Sequence, residues 1–299
     1  MIYEHPVAYV LGLEGIALLR GFTGEYDREF VEERLAEVRR LLDDESLAGA
    51  AVDVERVGTV DGYRIWSRTY DGPNSAFDLD EPVVGEILDA LPAGVALDAA
   101  CGTGRWSAAL AARGHRVLGV DSSPDMLGRA RERVPGGDFR LGELQALPVG
   151  DDAVDLVVCA LALAHVPDLG PVLAEFARVL RPGGHLVISD MHPEVVARGS
   201  NQPVRDADGR PGRLVSHRHL VGDYLRAALA VGLQVRRCAE PVLPVAEPQP
   251  DAGPPTGPGP WESWPWGLAA LVPEAARAAN AGVPGLLVWH FQSSGQRGS

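Results

Sequence analysis

The sequence predicts an α/β protein built on an open parallel sheet with helices on both faces. Three observations carry this. From about residue 94, short apolar runs alternate with helical stretches, the spacing of strand–helix–strand units. One run, LDAACGTGRW (97–106), passes from apolar strand residues through a glycine-rich turn into helix formers. The next run, RVLGVD (116–121), ends on an acid.

The elements follow in order. Residues 1 to about 48 read as helical. In YDREFVEERLAEVRRLL (26–42), Phe30, Val31, Leu35, Val38, Leu41 and Leu42 fall on one helical face. Packing on its own domain and a lid or dimer contact both fit that face. Residues 1–60 are therefore expected to form a helical extension that closes a site or joins two copies, ahead of a main domain at 61–299. Strands are expected at 95–101, 116–121, 138–142, 154–160, 184–190, 233–238 and 286–292, and helices at 104–113, 124–134, 169–180 and 219–231. Near the end, AEPQPDAGPPTGPGPW (246–261) opens a loop rich in Pro, Gly and Trp that extends to about 267. A loop that long in a compact domain is expected to be a mobile lid or an excursion.

Composition narrows the function classes. The 299 residues are 46% hydrophobic, which suits a globular chain. No apolar stretch reaches the ~18 residues a membrane helix needs, and no leader pattern is present, so a cytoplasmic protein is expected, with no membrane partner. The formal net charge of -14 repels phosphate backbones and argues against nucleic acid. Cys101, Cys159 and Cys238 are far apart and read as reduced cysteines without zinc spacing. All the basic residues are arginine, which excludes Schiff-base chemistry on lysine.

In an open parallel sheet, ligands sit beyond the carboxyl ends of the strands, where strand order reverses. Gly102 and Gly104 leave no side chain between backbone and ligand, and the following helix points its amides at the site. Asp121, ending the second strand, is placed to accept from both hydroxyls of an unphosphorylated ribose. NAD and S-adenosylmethionine both satisfy these features. Ser107 stands where the dinucleotide spacing wants a third glycine, which weakens the pyrophosphate reading.

Several segments, in order and at the expected spacing over about 63–192, resemble the class I S-adenosylmethionine-dependent methyltransferases. They are VALDAACGTG, VLGVDSSPDML, GELQALPVGDDAVDLVVCALALAHVPD and EFARVLRPGGHLVISD. The kind most resembled tailors bacterial secondary metabolites. The resemblance implies a Rossmann-like seven-stranded sheet whose last strand, in GVPGLLVWHFQ, is antiparallel. It implies that Asp98 orients the turn, that Ala100, Gly102 and Gly104 line the methionine moiety, and that Asp121 holds the ribose. Ser122 and Met126 would pack near ribose and adenine. Glu143 and the Leu144 amide would meet the adenine, the Cys159 carbonyl would face the methionine amino group, and Tyr70 would close over the cofactor. Ala100 stands where this family usually has glycine. Alanine tolerates most conformations with negative φ, so a small backbone adjustment is expected there.

A sulfonium methyl is already activated, so catalysis is mainly alignment, with a base for some acceptors. His165, in LALAHVPD, and the pair His217 and His219, in LVSHRHL, are the candidate bases. His192 follows the fifth strand. With Asp190 and Glu194 it alternates along DMHPE, but no further ligands make a metal site of it, and none is expected. Trp66, Trp289 and His192 are candidate substrate contacts, and Trp261, Trp264 and Trp266 crowd the late loop. Indole rings over the entry suit a flat, aromatic small molecule, with O, N or C as acceptor. A non-methylating enzyme of the same fold, a nucleic-acid or protein methyltransferase and an NAD-dependent dehydrogenase are the alternatives.

Overall fold

The computed structural model describes residues 1–66, 70–72, 74–206, 208–243, 255 and 257–294, the side chains of Ile65 and Trp66 excepted. In chain order its strands are β1 (Ile2–Glu4), β2 (Val52–Val57), β3 (Val95–Ala99), β4 (Arg116–Asp121), β5 (Asp138–Leu141), β6 (Val154–Ala160), β7 (Leu180–Met191), β8 (Pro203–Arg205), β9 (Pro211–Leu214), β10 (Leu233–Ala239) and β11 (Leu286–Ser293). The helices are α1 (Pro6–Phe22), α2 (Arg28–Leu42), α3 (Glu45–Ala48), α4 (Thr59–Trp66), α5 (Ser75–Asp89), α6 (Arg105–Ala112), α7 (Pro124–Arg133), α8 (Leu169–Val179), α9 (Pro193–Ala197), α10 (Val221–Ala230) and α11 (Pro273–Asn280).

These elements form two compact units, neither of them a continuous stretch of chain. One gathers Met1–Val57, Gly199–Leu214 and Leu243–Val283, and the other holds Gly58–Arg198, Val215–Val242 and Pro284–Ser299. The first boundary falls three residues from the expected division at 60, but the first unit also takes two later segments that the sequence reading left inside the main domain.

The larger unit is a seven-stranded sheet in the order β10-β11-β7-β6-β3-β4-β5. β11 runs antiparallel to β7 and β10, and the other pairs are parallel. Helix α8 and α10 residues such as Phe176 and Tyr224 bury one face. Val84 and Leu88 of α5, with Trp106 and Leu110 of α6, bury the other. Both faces are therefore covered, which explains why β6 reads as a nearly continuous apolar run. From β3 the chain builds β4 and β5 to one side, then crosses to β6 and β7 on the other. Ala99 pairs with Val120 on one side and Cys159 on the other, so three strand ends stand level at that reversal.

The smaller unit has its own four-stranded sheet, β1-β2-β9-β8, and its own core. Val10, Leu13 and Ala17 of α1 pack with Leu41, Leu47, Val54, Trp261, Trp264 and Val272. Arg213, 4% exposed, ties its three chain segments together. It forms two hydrogen bonds to Glu4, at 2.7 and 2.8 Å, and donates to the carbonyls of Asn201 and Trp264. Its guanidinium also lies 5.0 Å from the Trp261 ring centre. The apolar face read for α2 is narrower than expected. Leu41 is buried, but Leu35 and Leu42 are exposed, and Arg34 turns inward 3.6 Å from the fully buried Glu14 of α1. Much of the expected lid loop lies outside the described residues. The part described, from 257, puts Trp261 and Trp264 into this core.

Candidate functional site

The glycine-rich turn leaves β3 through three left-handed residues, Ala100 (φ 58°), Gly102 (φ 54°) and Gly104 (φ 83°). The turn closes with Gly104 N donating to Cys101 O at 2.8 Å. Gly102 lines the cavity, and a Cβ there would face open space, as expected where a ligand approaches backbone. Gly104 is glycine for a second reason. A Cβ would lie 3.1 Å from Ala130 Cα, so it permits the close approach of α6 and α7 and is not part of the cavity lining. The expectation of negative φ at Ala100 is wrong. Alanine holds a left-handed conformation there at a cost of about 1 kcal/mol, because the turn around it dictates the path.

Two carboxylates brace the turn. Asp121 accepts from Gly102 N and Ser123 N, each at 2.8 Å, and joins the end of β4 to the turn. Burial raises its pKa despite those amides. Asp98, 2% exposed, accepts from Ser107 Oγ at 2.6 Å. Burial pushes its carboxyl up to about 6 against that bond. The serine in the third-glycine slot thus ties α6 to the strand before it.

The turn opens into a cavity of about 320 Å³. Its wall takes Val120, Asp121, Ser122 and Met126 from the β4–α7 region, and Gly142, Glu143 and Leu144 after β5. Ala160, Leu161, Ala162, His165 and Val166 contribute from the end of β6. Leu161 is a second left-handed non-glycine residue, with φ 55°. Gly58, Thr59, Val60, Asp61, Tyr63 and Tyr70, with Ser123 and Gln145, complete the wall. Burial holds the Tyr70 phenol up to about 12.

Of the residues singled out in the sequence, Tyr70, Ala100, Gly102, Asp121, Ser122, Met126, Glu143, Leu144 and His165 meet at this cavity. Others do not line it. Cys159 stops one residue short, with its thiol in the core. Trp289 is 2% exposed and stacks on Phe291 at 5.2 Å inside the sheet core, because the inward register of β11 points it there. His192 caps α9 by accepting from Glu194 N and pairs with Glu240 at 3.1 Å. Trp66 ends α4, and its side chain lies outside the described residues.

His217 and His219 support the site from behind. His217 N donates to Ala164 O at 2.6 Å, and His219 Nε2 donates to Val166 O at 2.8 Å. The two rings stack, as two residues on one face of an extended segment do. Together these bonds hold the short 3-10 turn Leu163–His165. His165 Nδ1 lies 2.8 Å from Val215 O, and its Nε2 lies 3.1 Å from the Tyr63 hydroxyl. Tyr63 is the residue the sequence reading missed. It shares its segment with the more conspicuous Trp66 and Tyr70, and nothing in the local pattern pairs it with a histidine 102 residues away. Behind the turn, Asp190 is fully buried, accepts from Tyr224 Oη at 3.0 Å, and has its pKa raised by that burial. Among the described residues no group of three metal-ligating side chains comes together.

A methyltransferase-domain family model matches residues 97–188. A malonyl-[acyl-carrier protein] O-methyltransferase of Yersinia pestis is 37% identical over 131 residues, 44% of this chain and 46% of that protein. A demethylmenaquinone methyltransferase of Renibacterium salmoninarum is 35% identical over 130 residues, 42% of this chain and 55% of that protein. The chain spans about half the length of the curated relatives it matches. Among solved structures, an S-adenosylmethionine dependent methyltransferase from Mesorhizobium loti superposes with a TM-score of 0.52 at 23% identity, covering 73% of this chain and all of that one. A putative methyltransferase of Haloferax volcanii, solved with the Trm112 activator, gives 0.56 at 21% identity, covering 80% of this chain and 99% of that one. Over residues 97–188 the chain is similar in sequence to methyltransferases, and its strand order with an antiparallel last strand is the fold of the S-adenosylmethionine-dependent methyltransferase it superposes on.

Proposed function

We propose that the protein transfers the methyl group of S-adenosylmethionine to a small organic acceptor. One observation carries this reading: a single cavity joins the left-handed glycine turn, the Asp121 and Glu143 carboxylates, and the Tyr63–His165 pair. The turn suits the amino-acid portion of the donor. Asp121 retains lone pairs for ribose hydroxyls beside its two backbone bonds, and Glu143 with the Leu144 amide suits an adenine edge. Carboxylates around the cavity also favour a cationic sulfonium. The bound donor would supply an activated methyl, and the chain's own task is to align an acceptor and accept a proton where one is lost.

The tryptophans that suggested an aromatic acceptor support that idea less now. Trp261, Trp264 and Trp289 are core residues, and Tyr63 and Tyr70 are the rings at the cavity. Incubating the protein with methyl-labelled S-adenosylmethionine and a small-molecule extract tests the reading. Label in an organic product with matching S-adenosylhomocysteine supports it. Turnover that leaves the donor's methyl in place contradicts it and favours the non-methylating alternative.

A further inference from the structure

We propose that Asp71, Thr103 and Arg133 form a clasp that fixes Tyr70 in the cavity wall, which makes Asp71 a positioning residue for binding the methyl donor. The proposal rests on the methyltransferase reading above.

The three side chains close a ring of hydrogen bonds. A guanidinium only donates, a carboxylate only accepts, and a hydroxyl can do one of each, so the directions are fixed. Thr103 Oγ1 donates to Asp71 Oδ1 at 2.7 Å and accepts from Arg133 Nη1 at 3.1 Å. Arg133 Nη2 meets the other carboxylate oxygen, Asp71 Oδ2, at 2.8 Å. The hydroxyl's one proton and both carboxylate oxygens are thereby used, and two of these three contacts are charge-assisted bonds on the carboxylate.

Each member belongs to a different part of the frame around the cavity. Thr103 is 1% exposed and stands between Gly104 and Gly102, which lines the cavity. Arg133 ends α7, whose first turn supplies Met126 to the wall. It lies three residues after Ala130 and so on the same helix face. Gly104 lets that face come close to the turn, because a Cβ there would lie 3.1 Å from Ala130 Cα. Asp71 lies between α4 and α5, next in the chain to Tyr70, which lines the cavity.

Asp71 acts through that neighbour. The peptide bond holds the Cα atoms of Tyr70 and Asp71 about 3.8 Å apart, so tying Asp71 to the turn sets where the Tyr70 backbone stands beside the glycines. The Tyr70 ring is held separately, with its centre 5.5 Å from that of Phe77 on α5 and 5.9 Å from that of Tyr63. The Asp71 and Arg133 side chains are each about one-third exposed, and such a pair adds little to global stability. Its effect falls on the order of the cavity wall. Without the clasp, the wall has to be ordered as the ligand binds, and affinity drops by that cost.

Calorimetric titration of the full chain with S-adenosylhomocysteine tests this as a double-mutant cycle. Asp71→Ala and Arg133→Met are each expected to weaken binding about fivefold, with the unfolding midpoint of the ligand-free chain lowered by less than about 2 °C. Thr103→Ser keeps the hydroxyl and is expected to bind as the parent does. Beside Tyr70→Ala, itself a weaker binder, neither Asp71→Ala nor Arg133→Met is expected to add a further loss. Unchanged affinity in both single variants overturns the proposal. Losses that persist in full beside Tyr70→Ala also overturn it, because the two residues then act without Tyr70. A midpoint lowered by more than that margin in both variants assigns them a plain structural role and overturns it as well. A chain that fails to bind S-adenosylhomocysteine removes the methyltransferase reading itself, whereas binding indifferent to the clasp leaves that reading standing.

Discussion

At Ala100 the backbone outvotes the side chain. The turn needs a left-handed residue between β3 and Gly102, and alanine complies with φ 58°. Replacing it with glycine relieves about 1 kcal/mol of strain, partly offset by glycine's greater freedom when unfolded. Ala100→Gly is therefore expected to raise the melting temperature by about 1–2 °C, measured by calorimetry. A lower melting temperature would mean that the methyl group packs usefully. A sequence shows which residue stands in a motif slot, but not the φ that the surrounding turn imposes. Tyr63 and His165 illustrate the same limit, because their contact spans 102 positions and leaves no local signature. Asp121 and the glycines were legible because a strand-to-helix turn is a short-range pattern with few solutions.

Among the elements, six of the seven strands of the main sheet could be read to within two residues because each is a short apolar run bounded by turn residues. The exception, β7, begins at Leu180, four residues before the expected 184, where Leu180 pairs with Val154 ahead of an irregularity. β3 stops at Ala99 rather than 101, since the left-handed turn begins there. The second sheet escaped notice for the opposite reason. β1, β8 and β9 have three, three and four residues, and the pairing that joins the two ends of this sheet, β2 with β9, sets Val57 beside Leu214 across 157 positions. Only β2, VDVERV, carries a usable alternation. What assembles these pieces is Arg213, which meets Glu4, Asn201 and Trp264 at once. Removing it takes both guanidinium bonds from Glu4, which keeps the Trp261 indole as a donor, and one from each of two carbonyls. Arg213→Ala is expected to destabilise the smaller unit by about 3 kcal/mol in urea unfolding. A loss below about 1 kcal/mol would show that apolar packing alone holds the three segments together.

At the scale of the whole molecule, two buried acids contribute stability that falls as pH rises. Burial lifts Glu14 from 4.5 to about 7 and Asp98 from 3.8 to about 6. Between the ordinary and raised values the folded state binds more protons than the unfolded one. The contribution of these two groups is therefore fully present below their unfolded pKa and is lost as pH rises through the folded pKa. Glu14 makes no hydrogen bond among the described residues despite Arg34 at 3.6 Å. Glu14→Gln is expected to flatten the decline between pH 4.5 and 7 and to add about 1–3 kcal/mol at pH 8, read from urea unfolding across that range. An unchanged slope would mean that Glu14 stays ionised against Arg34.

Everything proposed for this protein requires that the cavity at the glycine turn bind S-adenosylmethionine. Calorimetric titration with S-adenosylmethionine and S-adenosylhomocysteine, beside Asp121→Ala and Glu143→Ala and with NAD as control, tests it most directly. Micromolar binding of both adenosyl ligands is expected, weakened at least about tenfold in each variant (a ΔΔG of about 1.4 kcal/mol), with no binding of NAD. Binding of NAD in their place, or adenosyl affinity indifferent to both substitutions, would contradict it.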